Sequence, residues 1–381
     1  MRILWIPHAR WATPQRARLF CGELAKRHTV HVTDWQADFT TLRDFVSRRY
    51  VRNFTYYRWS DGPITVHHIP RVAPAIFAPP LTRLNSRIYA HWLRRIIQRE
   101  RIDVVVGSYV APLPRGVRVV FDLADDNVGY WRVYGRFQWF AEQIAATEAD
   151  YLDHAAAIVT VSSVLQERVL QRGCRYPPTV IPNGVALREY AIDRPRPLRV
   201  DGPLIGLIGN HDKPSELRKV LLAAETLRNT GAHVAIVGRG SALPVATAII
   251  RERGLDNVSV VGFVPPEQVA AYFAATDVGV CPYAKNPASD ASSPMRLIAH
   301  AAAGSSVVCT RLEEVRRMAF SNVCLVDDSA EALADGIRTA LGMPRHCPAQ
   351  MRDYDLPRLA ARFEAVLRGD SDAGERARAA V

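Results

Sequence analysis

From about residue 203 onward, short apolar runs rich in Val, Ile and Leu alternate in regular order with longer amphipathic stretches. Strand candidates are 204–208, 233–237, 258–261, 278–281, 307–309 and 323–326. The intervening stretches 214–230, 242–253, 266–275, 293–303, 311–319 and 329–341 read as helices, each long enough for a right-handed crossover between parallel strands. That order predicts a doubly wound α/β domain. The first half repeats the theme less cleanly, with strands at 2–6, 29–32, 104–106, 117–121 and 157–161. Its helices fall near 15–27, 84–100, 138–154 and 163–172. The expectation is a second Rossmann-like sheet.

Between the halves, residues 187–203 lose apolar periodicity and contain Arg194-Pro195-Arg196-Pro197, as an interdomain linker does. The predicted organisation is therefore an N-terminal domain at 1–195, a C-terminal domain at 196–345, and a segment 346–381. That last segment holds an amphipathic helix at 356–367, a candidate to return to the N-terminal domain, and a polar tail that frays. A chain of 381 residues exceeds what one hydrophobic core usually supports, which agrees with two domains.

With 48% hydrophobic and 23% charged residues the composition is globular, and no apolar run reaches the length of a membrane span. The start MRILWIP enters a strand directly, without the features of a secretory signal, so the expected compartment is the cytoplasm. Six scattered cysteines form no CxxC pair, and buried reduced thiols are expected, with no metal site. A net charge of +11 favours acidic partners: phosphates, nucleic acid or an anionic membrane surface.

Two open α/β sheets suggest a ligand at the carboxyl ends of their strands. A dinucleotide dehydrogenase is the competing reading. After the first strand, however, the chain runs Pro7-His8-Ala9-Arg10-Trp11-Ala12-Thr13-Pro14, with no GxGxxG to admit a pyrophosphate.

Several segments in fixed order resemble retaining GT-B glycosyltransferases of family 4, especially the teichuronic acid glycosyltransferase branch. Ala157-Ile-Val-Thr-Val-Ser-Ser163 looks like the family strand "adavitvS", and Val180-Ile-Pro-Asn-Gly-Val185 like its "viPNGVd" turn. The stretch from Val258 to Cys281 resembles "v.f.G.vp.eel..yy..aDv.v.P". That from Ser293 to Thr310 resembles "SPLKLfEYmAaGkPVVaT". Trp11 to Ala25 is similar to "W...RpQ.la.eLA", and Phe121-Asp-Leu-Ala-Asp-Asp126 to "YD..DD". The resemblance covers most of the chain. It implies a GT-B fold, two Rossmann-like domains facing each other across a cleft, and transfer of a sugar from a nucleotide diphosphate sugar as co-substrate. It implies front-face retaining chemistry with no protein nucleophile and no metal cofactor.

As the sugar bond breaks, the leaving diphosphate gains charge that fixed donors must stabilise. The donor-side candidates are Gly209, Asn210, His211 and Lys213 after a strand, where the family places cations toward the diphosphate. Asp290, Ser292, Ser293 and Met295 surround a helix start whose free amides suit an anion. The family's two glutamates, eight positions apart, fall on Ala291 and Ala299 here. Asp290 is the candidate to replace the first and His300 to reach the ribose. On the acceptor side, Asp122, Asp125 and Asp126 follow a strand and are candidates to orient or deprotonate an acceptor hydroxyl, with His8 after the first strand.

From Leu84 to Arg101, Leu84, Ile88, Trp92, Ile96 and Ile97 recur at helical spacing among Arg83, Arg87, Arg94, Arg95 and Arg99. Upstream, Arg48, Arg49, Arg52 and Arg58 alternate with Tyr50, Phe54, Tyr56, Tyr57 and Trp59. Such a surface suits anionic headgroups and a lipid-linked acceptor, with the protein peripheral to the inner face of a membrane. A core-packed helix with a solvated basic face is the plain alternative, and no nucleic-acid module accompanies it. The expected function is sugar transfer in cell-surface polysaccharide, glycolipid or other glycoconjugate synthesis. Alternatives are a catalytically weakened GT-B partner protein, suggested by Ala291 and Ala299, and a GT-B nucleotide-sugar epimerase.

Overall fold

A computed structural model describes residues 1–370, apart from positions 14, 35–52, 72–78, 136, 191–196 and 199. Within them the chain forms two compact units, Met1–Ile181 with the segment from Ala360, and Pro182–Leu359. The division thus falls at Ile181/Pro182 rather than near 195. The reason is local. Val185 donates its N–H to the Tyr354 carbonyl and accepts from the Leu356 N–H, while Asp355 caps the N–H of Leu187. These bonds tie the segment after the PNG turn to the second unit, whereas residues 194–196 of the expected linker lie outside the described residues.

The first unit contains, in order, β1 (Arg2–Trp5), α1 (Arg16–Leu24), β2 (Thr29–Asp34), β3 (Tyr57–Asp61), β4 (Ile64–His68), α2 (Pro79–Arg99), β5 (Val104–Gly107) and β6 (Arg118–Leu123). It continues with α3 (Asn127–Tyr134), α4 (Gln138–His154), β7 (Ala157–Thr160), α5 (Ser163–Gln171) and β8 (Thr179–Val180). Its sheet runs β3-β4-β2-β1-β5-β6-β7-β8, parallel except for the β3–β4 hairpin, which the sequence reading did not anticipate.

The second unit contains β9 (Leu204–Asn210), α6 (Pro214–Thr226), β10 (His233–Arg239), α7 (Leu243–Glu252), β11 (Val258–Gly262), α8 (Pro266–Ala275) and β12 (Val278–Cys281). Next come α9 (Pro287–Asp290), α10 (Met295–Ala302), β13 (Ser306–Thr310), α11 (Glu313–Met318), β14 (Val323–Val326) and α12 (Ala330–Leu341). All six strands are parallel, in the order β11-β10-β9-β12-β13-β14. Helices cover both faces of such a sheet, so its strands read as continuous apolar runs rather than alternating ones. The last helix, α13 (Leu356–Arg368), begins in the second unit and completes the first. There Phe363 is fully buried, 5.0 Å from the Trp5 ring and 5.4 Å from Phe20.

At the carboxyl ends of β9 and β10 the two backbones come very close. Gly238 adopts φ +132°, and a Cβ there would meet the Gly209 carbonyl oxygen at 1.8 Å. Gly238→Ala should therefore lose about 2 kcal/mol or more in urea denaturation. Gly231→Ala, where a Cβ meets nothing within 4 Å but φ is +69°, should lose only about 1 kcal/mol.

Buried ionisable groups act in opposite directions on stability. Burial depresses His67 and His211 to about 4 and His300 to about 3, so they are neutral in the fold. In the unfolded chain they bind protons below their ordinary range, so the stability they confer is lost as pH falls from about 6.5 toward 4. Glu148 on α4 is only 2% exposed, neither of its oxygens is hydrogen-bonded, and Arg172 approaches only to 3.7 Å. Burial pushes its carboxyl up to about 8. Its proton is held in the fold and lost in the unfolded chain, so stability falls as pH rises from about 4.5 through 8. Glu148→Gln should be more stable than the parent at pH 8 and gain nothing at pH 4.5, as read by denaturation at both pH values.

Candidate functional site

In the second sheet the chain's progress reverses between β9 and β12, the place where a doubly wound sheet leaves a crevice at its carboxyl edge. Gly209 ends β9 there with φ +138°, a conformation that favours glycine, and the bend exposes Asn210. Arg296, in the first turn of α10, reaches back to this bend. Its Nε donates to the Ile208 carbonyl at 2.8 Å and its Nη2 to the Asn210 carbonyl at 3.1 Å. The guanidinium lies over the Tyr283 ring at 5.7 Å and 3.7 Å from Glu216. Lys213, which precedes α6, stands 3.7 Å from the other oxygen of the same Glu216. One carboxylate thus holds two cations at the end of β9.

Arg296 is the functional candidate that sequence reasoning passed over. The signal was present, since it is the one charged residue in the run Met295-Arg-Leu-Ile-Ala-His-Ala-Ala302. A guanidinium on an otherwise apolar helix needs acceptors, and here they are backbone carbonyls of a neighbouring strand.

Helix α10 starts at Met295 after Pro294 with no side-chain cap, so its first amides have no intrahelical partner and carry the positive end of the helix dipole. The loop before it is fixed by the PNG turn. Ser293 Oγ accepts from the Asn183 N–H at 3.1 Å, and the Ser293 carbonyl accepts from Asn183 Nδ2 at 2.7 Å. Ser293 is 3% exposed, so its hydroxyl belongs to this clamp and only its place in the loop remains relevant to an anion. Ser292 Oγ donates to the Ser289 carbonyl at 2.7 Å. Asp290 accepts from Lys285 at 3.1 Å and from the Glu313 N–H at 2.9 Å, tethering the start of α11. Its expected role as a replacement carboxylate conflicts with that engagement.

Two histidines are likewise corrected. His211 is 3% exposed, and its Nε2 donates to the Val237 carbonyl at 3.0 Å, so the ring secures β10 instead of facing a ligand. His300 is fully buried and edge-on to Phe273 at 4.6 Å, with no route to a ribose. Ala291 and Ala299 are also buried, at 0% and 3% exposure. Of the donor-side candidates, Gly209, Asn210, Lys213 and Met295 retain positions at the strand edge and helix start.

In the first unit the three aspartates part company. Asp122 is buried with Arg16, whose Nε lies 3.1 Å from both carboxylate oxygens. Asp126 caps α3 through the Gly129 N–H at 3.0 Å and pairs with Arg168 at 2.8 Å. Both are committed to architecture, and Asp125 alone of the three is exposed. His8 follows β1 and is half-exposed. The Trp11–Arg16 motif also proves structural. Trp11 Nε1 donates to Asp61 at 2.7 Å, Gln15 donates to the carbonyls of Ala9 and Arg10, and Arg16 fastens the end of β6 at Asp122.

Of the expected stripe at Leu84, Ile88, Trp92, Ile96 and Ile97, helix α2 buries Ile96 and leaves Leu84 exposed and the others half-buried; its core face also takes in Tyr89 and Leu93. Trp92 stacks on Tyr56 at 4.3 Å with Arg95 above it, in the wall of a cavity of about 560 Å³ that Arg99 also lines. Arg83, Arg87, Arg94, Arg95 and Arg99 are exposed. Arg48, Arg49, Tyr50 and Arg52 lie outside the described residues.

The family model "Glycosyltransferase Family 4" matches residues 15–189, and the model "Glycosyl transferases group 1" matches 202–342. A protein of Escherichia coli K12, named as a proposed colanic acid biosynthesis glycosyl transferase, WcaI, is 25% identical over 293 residues. That match takes in 72% of this chain and 66% of the relative's length. Among solved structures, sucrose-phosphate synthase from Thermosynechococcus elongatus superposes with TM-score 0.70 at 16% identity, over 100% of both chains. Alr3699/HepE of Anabaena, solved with UDP and glucose, gives TM-score 0.60 at 14% identity, over 96% of this chain and 95% of that one. With two doubly wound sheets, parallel but for the β3–β4 hairpin, and glycosyltransferase models matching both halves of the chain, the chain belongs to the family-4-like glycosyltransferases of the GT-B fold.

Proposed function

We propose that this chain moves a sugar from a nucleotide diphosphate sugar to an acceptor hydroxyl, with retention at the anomeric carbon, in the synthesis of a cell-surface polysaccharide or glycolipid. The observation that carries this reading is the cluster at the carboxyl edge of the second sheet: Lys213, the Gly209–Asn210 bend, and the open amides of α10 with Arg296 behind them. As the sugar–oxygen bond breaks, negative charge grows on the leaving diphosphate. Lys213 and the amides would meet it directly, and the buried Arg296 would act through its field. The acceptor oxygen bonds to the anomeric carbon on the face the diphosphate leaves, and its proton passes to the leaving oxygen. The exposed Asp125 and the half-exposed His8 would orient that acceptor. The UDP bound in the Anabaena neighbour supports a uridine nucleotide as the first donor to test.

No helix among the described residues is long and apolar enough to cross a membrane. The proposed location is the inner membrane face, with a lipid-linked acceptor. A second reading rests on Ala291 and Ala299, which supply no carboxylate at the two positions where the family resemblance implies glutamates. It is a protein that binds donor or partner without turnover.

Titration calorimetry with a panel of uridine, guanosine, adenosine and thymidine diphosphate sugars, followed by donor hydrolysis, separates these readings. Binding with slow hydrolysis supports the transferase, binding without any turnover the second reading, and an interconverted sugar an epimerase. Absence of binding to every donor overturns the assignment of this edge.

Lys213→Ala should weaken donor binding by about 1 to 3 kcal/mol while leaving the denaturation midpoint unchanged, as loss of one charge-assisted contact predicts. Arg296→Ala should lower both, because the buried Ile208 carbonyl and the exposed Asn210 carbonyl lose their donor, at a stability cost of about 1 to 3 kcal/mol. Equal donor affinity in Lys213→Ala and the parent would remove Lys213 from the site.

A further inference from the structure

Between α3, α4 and the end of α5 lies a cavity of about 380 Å³ whose apolar wall is Val128, Ala145, Ala149 and Leu152. Glu148 lines it from α4. The residue is 2% exposed, and neither carboxyl oxygen has a hydrogen-bond partner. Buried polar groups are ordinarily bonded within the fold, so a carboxyl left open toward a cavity points to a partner from outside the chain. The architecture does not need it, since a neutral amide at this position is expected to be more stable at pH 8. On the same helix, Ala145 and Ala149 leave beside the carboxyl the room that larger side chains would fill. Arg132 of α3, Arg172 just beyond α5 and Asp153 of α4 complete the lining, and all three are exposed. Arg172 lies 3.7 Å from Glu148 and 3.6 Å from Asp126, which Arg168 holds at 2.8 Å.

We propose that this cavity binds a small aliphatic monocarboxylate, whose charged end is met by the carboxylic acid of Glu148 and by the guanidinium groups of Arg132 and Arg172. The Glu148 hydroxyl donates to one ligand oxygen, a charge-assisted contact stronger than one between neutral groups. Two guanidinium groups against the single carboxylate of Asp153 give the lining an excess of one positive charge while Glu148 is neutral. That balance suits a monoanion. A phosphate dianion would be undercompensated, and an ammonium would face two like charges. The four aliphatic side chains suit a short alkyl body and offer nothing to the hydroxyls of a sugar.

The proton on Glu148 is the control. Burial raises this carboxyl, Arg172 lowers it, Asp126 raises it again and Asn127 lowers it, leaving it at about 8. Tyr109, after β5, also feels Glu148, but burial pushes its hydroxyl up to about 12, so it stays protonated. Above pH 8 the acid therefore gives up its proton, and a carboxylate facing it is repelled. The inference lies wholly within the first unit and does not rest on the transferase reading.

The test is titration calorimetry of the full chain with sodium butyrate at pH 7 and pH 9, with butylammonium chloride and inorganic phosphate as the other probes. Butyrate should bind saturably at pH 7 and about tenfold more weakly at pH 9, as the protonated share of Glu148 falls across its value of about 8. Glu148→Gln keeps a donor and an acceptor without the titrating proton, so it should bind butyrate equally at the two pH values. Arg132→Ala should weaken binding by about tenfold with an unchanged denaturation midpoint. Ala149→Leu, at an exposed position, should fill the cavity and abolish binding with every polar group left in place. No saturable butyrate binding by the parent at pH 7 would overturn the proposal, as would tighter binding of butylammonium or phosphate. Butyrate affinity in Ala149→Leu equal to the parent's would place the ligand elsewhere and sink it. A pH dependence that persists in Glu148→Gln would remove the acid from the site and overturn it as well.

Discussion

The chemistry open to the second unit depends on one guanidinium. Arg296 spans from α10 to the end of β9 and satisfies two carbonyls there, Ile208 and Asn210, on either side of Gly209. A buried cation is costly unless it is paired and hydrogen-bonded, and Glu216 together with those carbonyls supplies that compensation. The consequence is geometric. Strand end, helix start and Lys213 are held in one fixed arrangement before any ligand arrives, which is the preorganisation that charge stabilisation requires.

A second clamp complements it. Asn183 of the PNG turn holds both the hydroxyl and the carbonyl of Ser293, so the loop before α10 cannot shift without breaking two hydrogen bonds. The corresponding device in the first unit is the Arg16–Asp122 pair, which joins the start of α1 to the end of β6, with the guanidinium over the Phe20 ring. In both units, motifs far apart in sequence turn out to be two halves of one contact. Their recurrence along the chain reflects construction of the strand edges.

Most of the strands were legible because a parallel strand covered on both faces must be a short unbroken apolar run, and such runs stand out between amphipathic stretches. The β3–β4 hairpin was not legible, since its alternating polar and aromatic residues, such as Tyr57-Arg-Trp-Ser-Asp61, lack that signature. The division near 195 was misplaced because Pro and Arg composition marks loss of periodicity, whereas membership of a unit is decided by hydrogen bonds such as Val185 to Tyr354. His300 illustrates a related limit. Its position on α10 was correct, but rotation about the helix axis put the ring against Phe273 instead of at the strand edge.

Periodicity and motif order were enough to establish two doubly wound sheets, the approximate elements and the membership of a glycosyltransferase family, because these follow from spacing along the chain. Which polar side chains are available for chemistry was settled in three dimensions alone. Asp122 meets Arg16 across 106 positions, Ser293 meets Asn183 across 110, and Arg296 meets Ile208 across 88. A carboxylate or hydroxyl of given sequence context can be a ligand contact or a structural pin. The difference lies in whether folding brings it a partner and removes it from water, and no local pattern encodes that.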